Sequence, residues 1–266
     1  MLAVSVLIPA FNAEATLGAA LLSVQRQSER DWECLIVDDG STDGTLRVAQ
    51  TFAARDARFR VVTTGHGGIV AALNAGLSEC RGTLVARMDA DDLMSRRRLE
   101  RQRATLSSNE RWAGAGCHVR LFPRRGMTDG LRAYEGWLAS IASAADVARE
   151  AFIECPLAHP TLMLRREVLL SVGYRDVAWP EDYDLVLRLL EAGHELGVVP
   201  GRLLHWRDGA GRLSRSSPRY ALDAFVACKA EYLARGFLRD TERYLLWGFG
   251  DTGKALASAL AKHGKQ

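Results

Sequence analysis

The chain has 266 residues, 48% of them hydrophobic, and 35 Lys and Arg against 32 Asp and Glu give a net charge of +3. This length and apolar content suit one large α/β domain, or a domain with a small appendage, and the charge is too small to argue for nucleic acid. No apolar run approaches the roughly 18–20 residues of a membrane span.

Five cysteines, Cys34, Cys80, Cys117, Cys155 and Cys228, lie far apart with no Cys-x-x-Cys among them. They read as reduced core thiols of a cytosolic protein, without a disulfide framework or zinc site. The N-terminus has no basic leader and enters a strand pattern at once, so no signal peptide is expected.

Residues 3–8 are a short apolar run ending at Pro9, the pattern of a buried parallel strand. Asn12 is placed to cap the next helix, where Leu17, Leu21 and Val24 share a face. Residues 32–37 predict a second strand, ending in the turn Asp38-Asp39-Gly40-Ser41-Thr42-Asp43-Gly44. Leu46, Ala49 and Phe52 mark a helix, Phe59–Thr63 a third strand, and Gly65-His66-Gly67-Gly68 a glycine turn. A helix carrying Ile69, Leu73 and Leu77 leads to a fourth strand at residues 83–88. Such alternation predicts a doubly wound, mostly parallel sheet, in which ligands sit beyond the carboxyl ends of the strands. Three strand exits carry unusual chemistry and open onto one edge: Pro9 to Asn12, Asp38 with Asp39, and Asp89 to Asp92.

The last of these places Asp89, Asp91 and Asp92 together. Packed carboxylates repel unless a cation or hydrogen-bond donors offset their charge. One reading is a metal site handling a phosphorylated ligand, since magnesium usually shares one or two carboxylates with a substrate phosphate. The other is a solvated turn with one Asp capping the following helix. That helix holds Arg96, Arg97, Arg98, Arg101 and Arg103, read as a solvated face, with contact to an anionic membrane surface or a phosphate-bearing acceptor as the rival.

Residues 114–122 predict another strand, and the loop from Pro123 to Gly130 is the internal boundary. One helix over residues 131–153 follows, with Trp137 and Ile141 at helical spacing. A strand is expected at residues 161–164, a helix at 185–190, and two strands at 196–199 and 202–206. Pro180, Glu181 and Asp182 are ordinary choices for a helix start. A polar loop at residues 207–217 contains Arg207 and Arg212, and an amphipathic helix spans residues 219–235. Three segments result: 1–122, 123–217 and 218–266. In the last, Gly248, Gly250 and Gly253 form a G-x-G-x-x-G after an apolar strand at residues 244–247, the entry to a dinucleotide-binding unit. Only thirteen residues follow Gly253, so the second strand and its acidic residue are missing.

Val6 to Asn12 (VLIPAFN), Val37 to Gly44 (VDDGSTDG), Asn74-Ala75-Gly76 and Met88 to Asp92 (MDADD) together resemble the family 2 glycosyltransferases, as do Ala158 to Thr161 (AHPT) and Pro180 to Asp184 (PEDYD). The resemblance covers about residues 3–217, and the tail is similar to a bacterial subgroup in which a Rossmann-type unit follows the transferase. It implies an A-type, Rossmann-like nucleotide-diphospho-sugar transferase fold, with a mixed acceptor-side half and a short C-terminal βα unit.

The resemblance also implies site roles. Asp39 meets the base; Pro9, Ala10, Phe11 and Glu14 line the same pocket. Asp89 lies towards the ribose and Asp91 is the direct metal ligand, for Mn2+ or Mg2+. Asn74 faces the ribose or phosphates, and Arg207 and Arg212 close over the diphosphate. Asp182, paired with Glu181, is the general base of an inverting displacement, while His159 stays outside the catalytic set. The implied partners are a nucleotide-sugar donor, UDP-linked in the commonest case, and a saccharide or lipid-linked acceptor, in a cytoplasmic protein with a peripheral contact to the inner membrane face. A sugar-phosphate nucleotidyltransferase would want a glycine-rich loop with a basic residue at residues 9–16, which is absent. Two further readings are a non-catalytic nucleotide-binding module and an oxidoreductase built on the tail.

Overall fold

The computed structural model describes residues 2–209, 215, 217–248 and 250–266. The chain opens with Val4–Ala10 (β1), Glu14–Gln25 (α1), Trp32–Asp38 (β2), Thr45–Arg55 (α2), Phe59–Thr63 (β3), Gly68–Glu79 (α3) and Leu84–Arg87 (β4). All of these strands pair in parallel, β3 on β2, β2 on β1 and β1 on β4. Every residue of β2 is buried, because a parallel strand is covered on both faces. Alternate side chains serve two cores. Val4, Val6 and Ile8 pack with Leu17, Leu21 and Val24 of α1; Leu7 and Leu35 pack with Leu73 and Leu77 of α3.

The chain continues through Leu93–Met94 (β5), Arg98–Ser108 (α4), Trp112–Phe122 (β6), Asp129–Ser140 (α5), Ala144–Glu150 (α6), Met163–Arg165 (β7), Arg166–Val172 (α7), Glu181–Glu191 (α8), Glu195–Arg207 (β8), Leu222–Arg235 (α9) and Asp251–Ala261 (α10). One eight-stranded sheet results, in the order β3-β2-β1-β4-β7-β6-β8-β5. β7 enters antiparallel between β4 and β6, and β8 lies parallel to β6. The sheet therefore takes strands from both sides of Pro123. Register pairs Ala10 with Asp38 and Leu7 with Arg87, which sets the exits of β1, β2 and β4 side by side.

Several local expectations are corrected. Asn12 does not cap α1: it adopts a positive φ of 49°, and its Oδ1 accepts the Thr42 N–H at 2.9 Å. The free N–H groups of α1 are met from the next turn instead, Ala13 by Thr45 Oγ1 at 2.7 Å and Glu14 by Asp43 Oδ2 at 3.1 Å. The single helix at 131–153 is two, because Ser143 and Asp146 form a capping box that starts α6. The two strands at 196–199 and 202–206 are one, β8, with a register break where Gly201 takes φ 125°. The strand at 161–164 begins at Met163, after a 3-10 turn over His159–Thr161. Residues 244–247 form no strand, and Leu245 and Trp247 are exposed. Arg98 is not on a solvated face: it is fully buried, bonding Gln102 Oε1 at 3.0 Å and Arg87 O at 2.8 Å.

Gly82 shows how tightly β4 is seated. A Cβ there would meet Ser5 N at 2.4 Å and Val4 C at 2.6 Å, both backbone atoms that cannot rotate away. Gly82→Ala is expected to cost about 2 kcal/mol or more through backbone strain, seen as a lower urea midpoint at unchanged slope.

Candidate active site

The exit of β2 builds the first part of the site. The Asp39 carboxylate accepts from Gly67 N and Gly68 N, both at 2.9 Å, and from Thr64 Oγ1 at 3.1 Å, with His66 Nδ1 at 3.0 Å. It therefore caps the start of α3, where backbone N–H groups have no partner within the helix. These four contacts match the roughly four acceptor positions of a carboxylate. The His66 ring also stacks on Phe11 of the β1 exit, centroids 4.1 Å apart and planes 19° apart. Glu14 turns to Gly44 N at 3.0 Å and Arg47 at 2.8 Å. Pro9 and Ala10 complete β1 beside Val37 and Asp38. Asp39→Ala should remove the cap and cost about 1–2 kcal/mol, measured as a lower melting temperature.

The exit of β4 brings Asp89, Asp91 and Asp92 together, with one potential ligand oxygen from each lying within 4.8 Å of the others. Asp92 is fully buried, and burial pushes its carboxyl well above the usual range, with the Asp89 charge adding to the effect. Its Oδ1 accepts the Arg207 backbone N–H at 2.8 Å, while its buried Oδ2 meets no protein donor. An oxygen-only set containing a buried orphan acceptor fits a hard divalent cation. Arg207 is not in a loop: it ends β8, its Nε donates to Asp91 O at 2.7 Å, and its guanidinium lies 4.6 Å from the centre of the Phe122 ring. Arg212 lies outside the described residues.

The start of α8 supplies the third part. Glu181 is buried and accepts from Tyr220 Oη at 2.6 Å, with His159 Nδ1 at 3.7 Å. His159 in turn meets Tyr174 Oη at 3.2 Å. Burial holds the His159 imidazole well below its ordinary value, and the nearby Arg87 charge acts in the same direction, so the ring is neutral at pH 7. Asp182 is half-buried, and burial, helped by the Glu181 charge, pushes its carboxyl up to about 7. Asp184, not either of these, serves the fold: it is fully buried and bonds Trp179 Nε1, Arg188 Nε and Tyr232 Oη at 3.0, 2.7 and 2.7 Å.

Arg87 ends β4 at the second part. It ion-pairs with Asp89, and its charge acts on Asp92, Glu181 and Asp182. The structure does not bring Asn74 into this group: its amide clamps the backbone of Tyr174, donating to O at 2.9 Å and accepting from N at 3.0 Å. Sequence reasoning missed Arg87, His66 and Tyr220. Arg87 left a signal, a lone arginine inside an otherwise apolar strand.

A parallel sheet with carboxylates gathered past its strand ends, continued by a mixed second half, is the glycosyltransferase A-type architecture. The chain belongs to glycosyl transferase family 2, whose model matches residues 5–171. It is 33% identical over 236 residues to EpsE of Bacillus subtilis (strain 168), named a glycosyltransferase, covering 85% of this chain and 82% of EpsE. It is 34% identical over 107 residues, 40% of this chain and 42% of the relative, to WfgD of Escherichia coli, a UDP-Glc:alpha-D-GlcNAc-diphosphoundecaprenol beta-1,3-glucosyltransferase. S. aureus TarS 1-349, solved in complex with UDP-GlcNAc, superposes with a TM-score of 0.70 at 17% identity, covering 98% of this chain and 72% of TarS.

Proposed function

We propose that this chain moves a sugar from a nucleotide-diphospho-sugar, UDP-linked, to the hydroxyl of a saccharide or lipid-linked acceptor, with inversion. The observation that carries this reading is the presence of an oxygen-only carboxylate cluster, Asp89, Asp91 and Asp92, beside a half-buried carboxylate, Asp182, pushed up to about 7. A general base works best with a pKa near the working pH. The donor complex of TarS and the donor and acceptor in the WfgD name support the substrate classes.

Residues 1–122 hold the donor and residues 123–217 the acceptor, with Tyr220 of the 218–266 appendage steadying Glu181. Asp39 accepts the N3 proton of the base by releasing His66, whose ring can rotate where backbone N–H groups cannot. Phe11, Ala10, Pro9 and Glu14 line that pocket, and Asn74 acts only indirectly, steadying α3 through its clamp on Tyr174. Asp91 and Asp89 would hold Mn2+ or Mg2+, and the ion would supply positive charge to offset the departing diphosphate. Arg207 would pair with the same diphosphate, and Arg212 takes the same role by resemblance to the family, a task that suits guanidinium. The acceptor oxygen attacks the anomeric carbon as the bond to the diphosphate breaks. Its proton passes to Asp182, and the nucleoside diphosphate leaves.

Among the described residues no helix is long and apolar enough to cross a membrane. The proposed setting is cytoplasmic, with peripheral contact at the inner face where a lipid-linked acceptor of cell-envelope polysaccharide or glycolipid synthesis is met. Calorimetry of UDP, dTDP and GDP, with and without Mn2+, tests the reading, followed by a donor screen for nucleotide release. Mn2+-dependent UDP binding and acceptor-dependent release are expected. Silence with all three nucleotides would sink it, and binding without turnover on any donor would make the chain a non-catalytic module.

A further inference from the structure

We propose that Tyr220 is a positioning residue for the base: its hydroxyl holds the Glu181 carboxylate inward and so leaves Asp182 as the α8 carboxylate that meets the acceptor. This rests on the base role proposed above for Asp182. Glu181 and Asp182 are neighbours in the first turn of α8, yet Glu181 has 1% of its surface exposed and Asp182 is half-buried. Two side chains of the same charge, one residue apart, thus have different surroundings. Tyr220 makes part of that difference. It ends a 3-10 turn over Pro218–Tyr220, just ahead of α9, and its Oη donates to Glu181 Oε2 at 2.6 Å. At the other carboxylate oxygen, His159 Nδ1 lies 3.7 Å from Oε1.

A hydroxyl that only seated this stretch of chain would be one of its few attachments. Tyr220 is not in that position. Arg219, one residue before it, pairs with Asp176. Within α9 the Phe225 ring packs on the Tyr183 ring, centroids 5.8 Å apart, and Tyr232 Oη donates to Asp184 Oδ1 at 2.7 Å. The stretch is therefore docked on α8 without the Tyr220 hydroxyl. The start of α8 is fixed by a further contact, Tyr183 Oη to Ala151 O at 2.6 Å. What the Tyr220 hydroxyl sets is where the Glu181 head group points. A buried carboxylate that loses a donor is driven towards water, and a displaced like charge disturbs the carboxylate beside it. Neighbouring carboxylates take separate roles when their environments differ. A misplacement of about 1 Å at a reacting group costs on the order of 100-fold in rate, so Tyr220 controls turnover without touching the donor.

Tyr220→Phe keeps the ring and removes the hydroxyl. Mn2+-dependent UDP binding is measured by calorimetry on wild type and variant, alongside thermal melting. kcat and KM are read from UDP release, with UDP-glucose, UDP-galactose and UDP-N-acetylglucosamine as donors. kcat should fall about 10- to 100-fold, while UDP affinity and donor KM stay at the wild-type level, because the carboxylate cluster at the β4 exit is untouched. A second variant, with 4-aminophenylalanine in place of Tyr220, keeps a hydrogen-bond donor at the same place on the ring. It should return kcat to within about fivefold of wild type.

A wild-type kcat in Tyr220→Phe overturns the proposal, as does an equal loss of UDP affinity and kcat, the mark of a site that has come apart. Failure of Tyr220→Phe to fold makes the hydroxyl a support of the fold and overturns it too. So does a 4-aminophenylalanine variant as slow as Tyr220→Phe, since a restored donor would have restored nothing. Wild type that binds no UDP, or binds it and releases none from these donors, sinks the transferase reading and this role with it. Wild type that turns over beside an unaffected Tyr220→Phe sinks this role alone.

Discussion

Asp182→Asn is expected to lower kcat by about 100- to 10,000-fold, the range that a positioned general base contributes, while UDP affinity stays at the wild-type level. The change is isosteric, and the hydrogen bond in which Asp182 Oδ1 accepts the Tyr183 N–H at 2.8 Å survives in an amide. What is lost is the ability to take a proton. Because burial and Glu181 push Asp182 up to about 7, the wild-type rate should fall below pH 7 in proportion to the ionised fraction, and that limb should be absent from the residual rate of the variant.

Stability should move the other way. A carboxyl raised above its ordinary value of about 4 keeps its proton in the folded state where the unfolded chain has released it. Its contribution is fully present below pH ~4 and is lost as pH rises to about 7. The asparagine variant escapes this loss, so its melting temperature should gain on wild type between those two values and stay ahead above them. Melting curves at pH 4, 6 and 8 beside a nucleotide-release assay check both halves. Equal loss of UDP binding and turnover would remove Asp182 from the base role.

Asp91→Ala is expected to weaken Mn2+-dependent UDP binding by about 100-fold or more, since a hard cation bound by few carboxylates has little to replace one. Chelator should do the same to wild type and nothing further to the variant, because both remove one interaction. The three carboxylates crowd within 4.8 Å, and Asp92 already feels the Asp91 charge. Without metal, the variant should therefore melt no lower than wild type. A variant that binds UDP as wild type does, with the same response to Mn2+, would return Asp89, Asp91 and Asp92 to a capped turn.

The four parallel strands of the first half, their order of appearance and the three chemical exits were legible because burial on both faces leaves a local trace, a run of apolar residues ended by a turn. Even the break between α5 and α6 is written locally, as Ser143 three residues ahead of Asp146, beneath a longer apolar rhythm that runs across it. Other roles had no local trace. Asp39 carries the helix-capping partners Gly67 and Gly68, 28 and 29 residues ahead. Glu181 is held by Tyr220, 39 residues on, and Asp92 by Arg207, 115 residues on.

The amino-acid order by itself determined the class of fold, the family and the carboxylates that gather at the sheet edge, since periodicity and short motifs are properties of neighbouring residues. Only the tertiary structure decided which of those groups are buried and which are already bonded, as Arg87 is to Asp89. Those properties depend on distance and solvent exclusion between segments far apart in the chain, and electrostatic energies follow distance and burial rather than position in sequence.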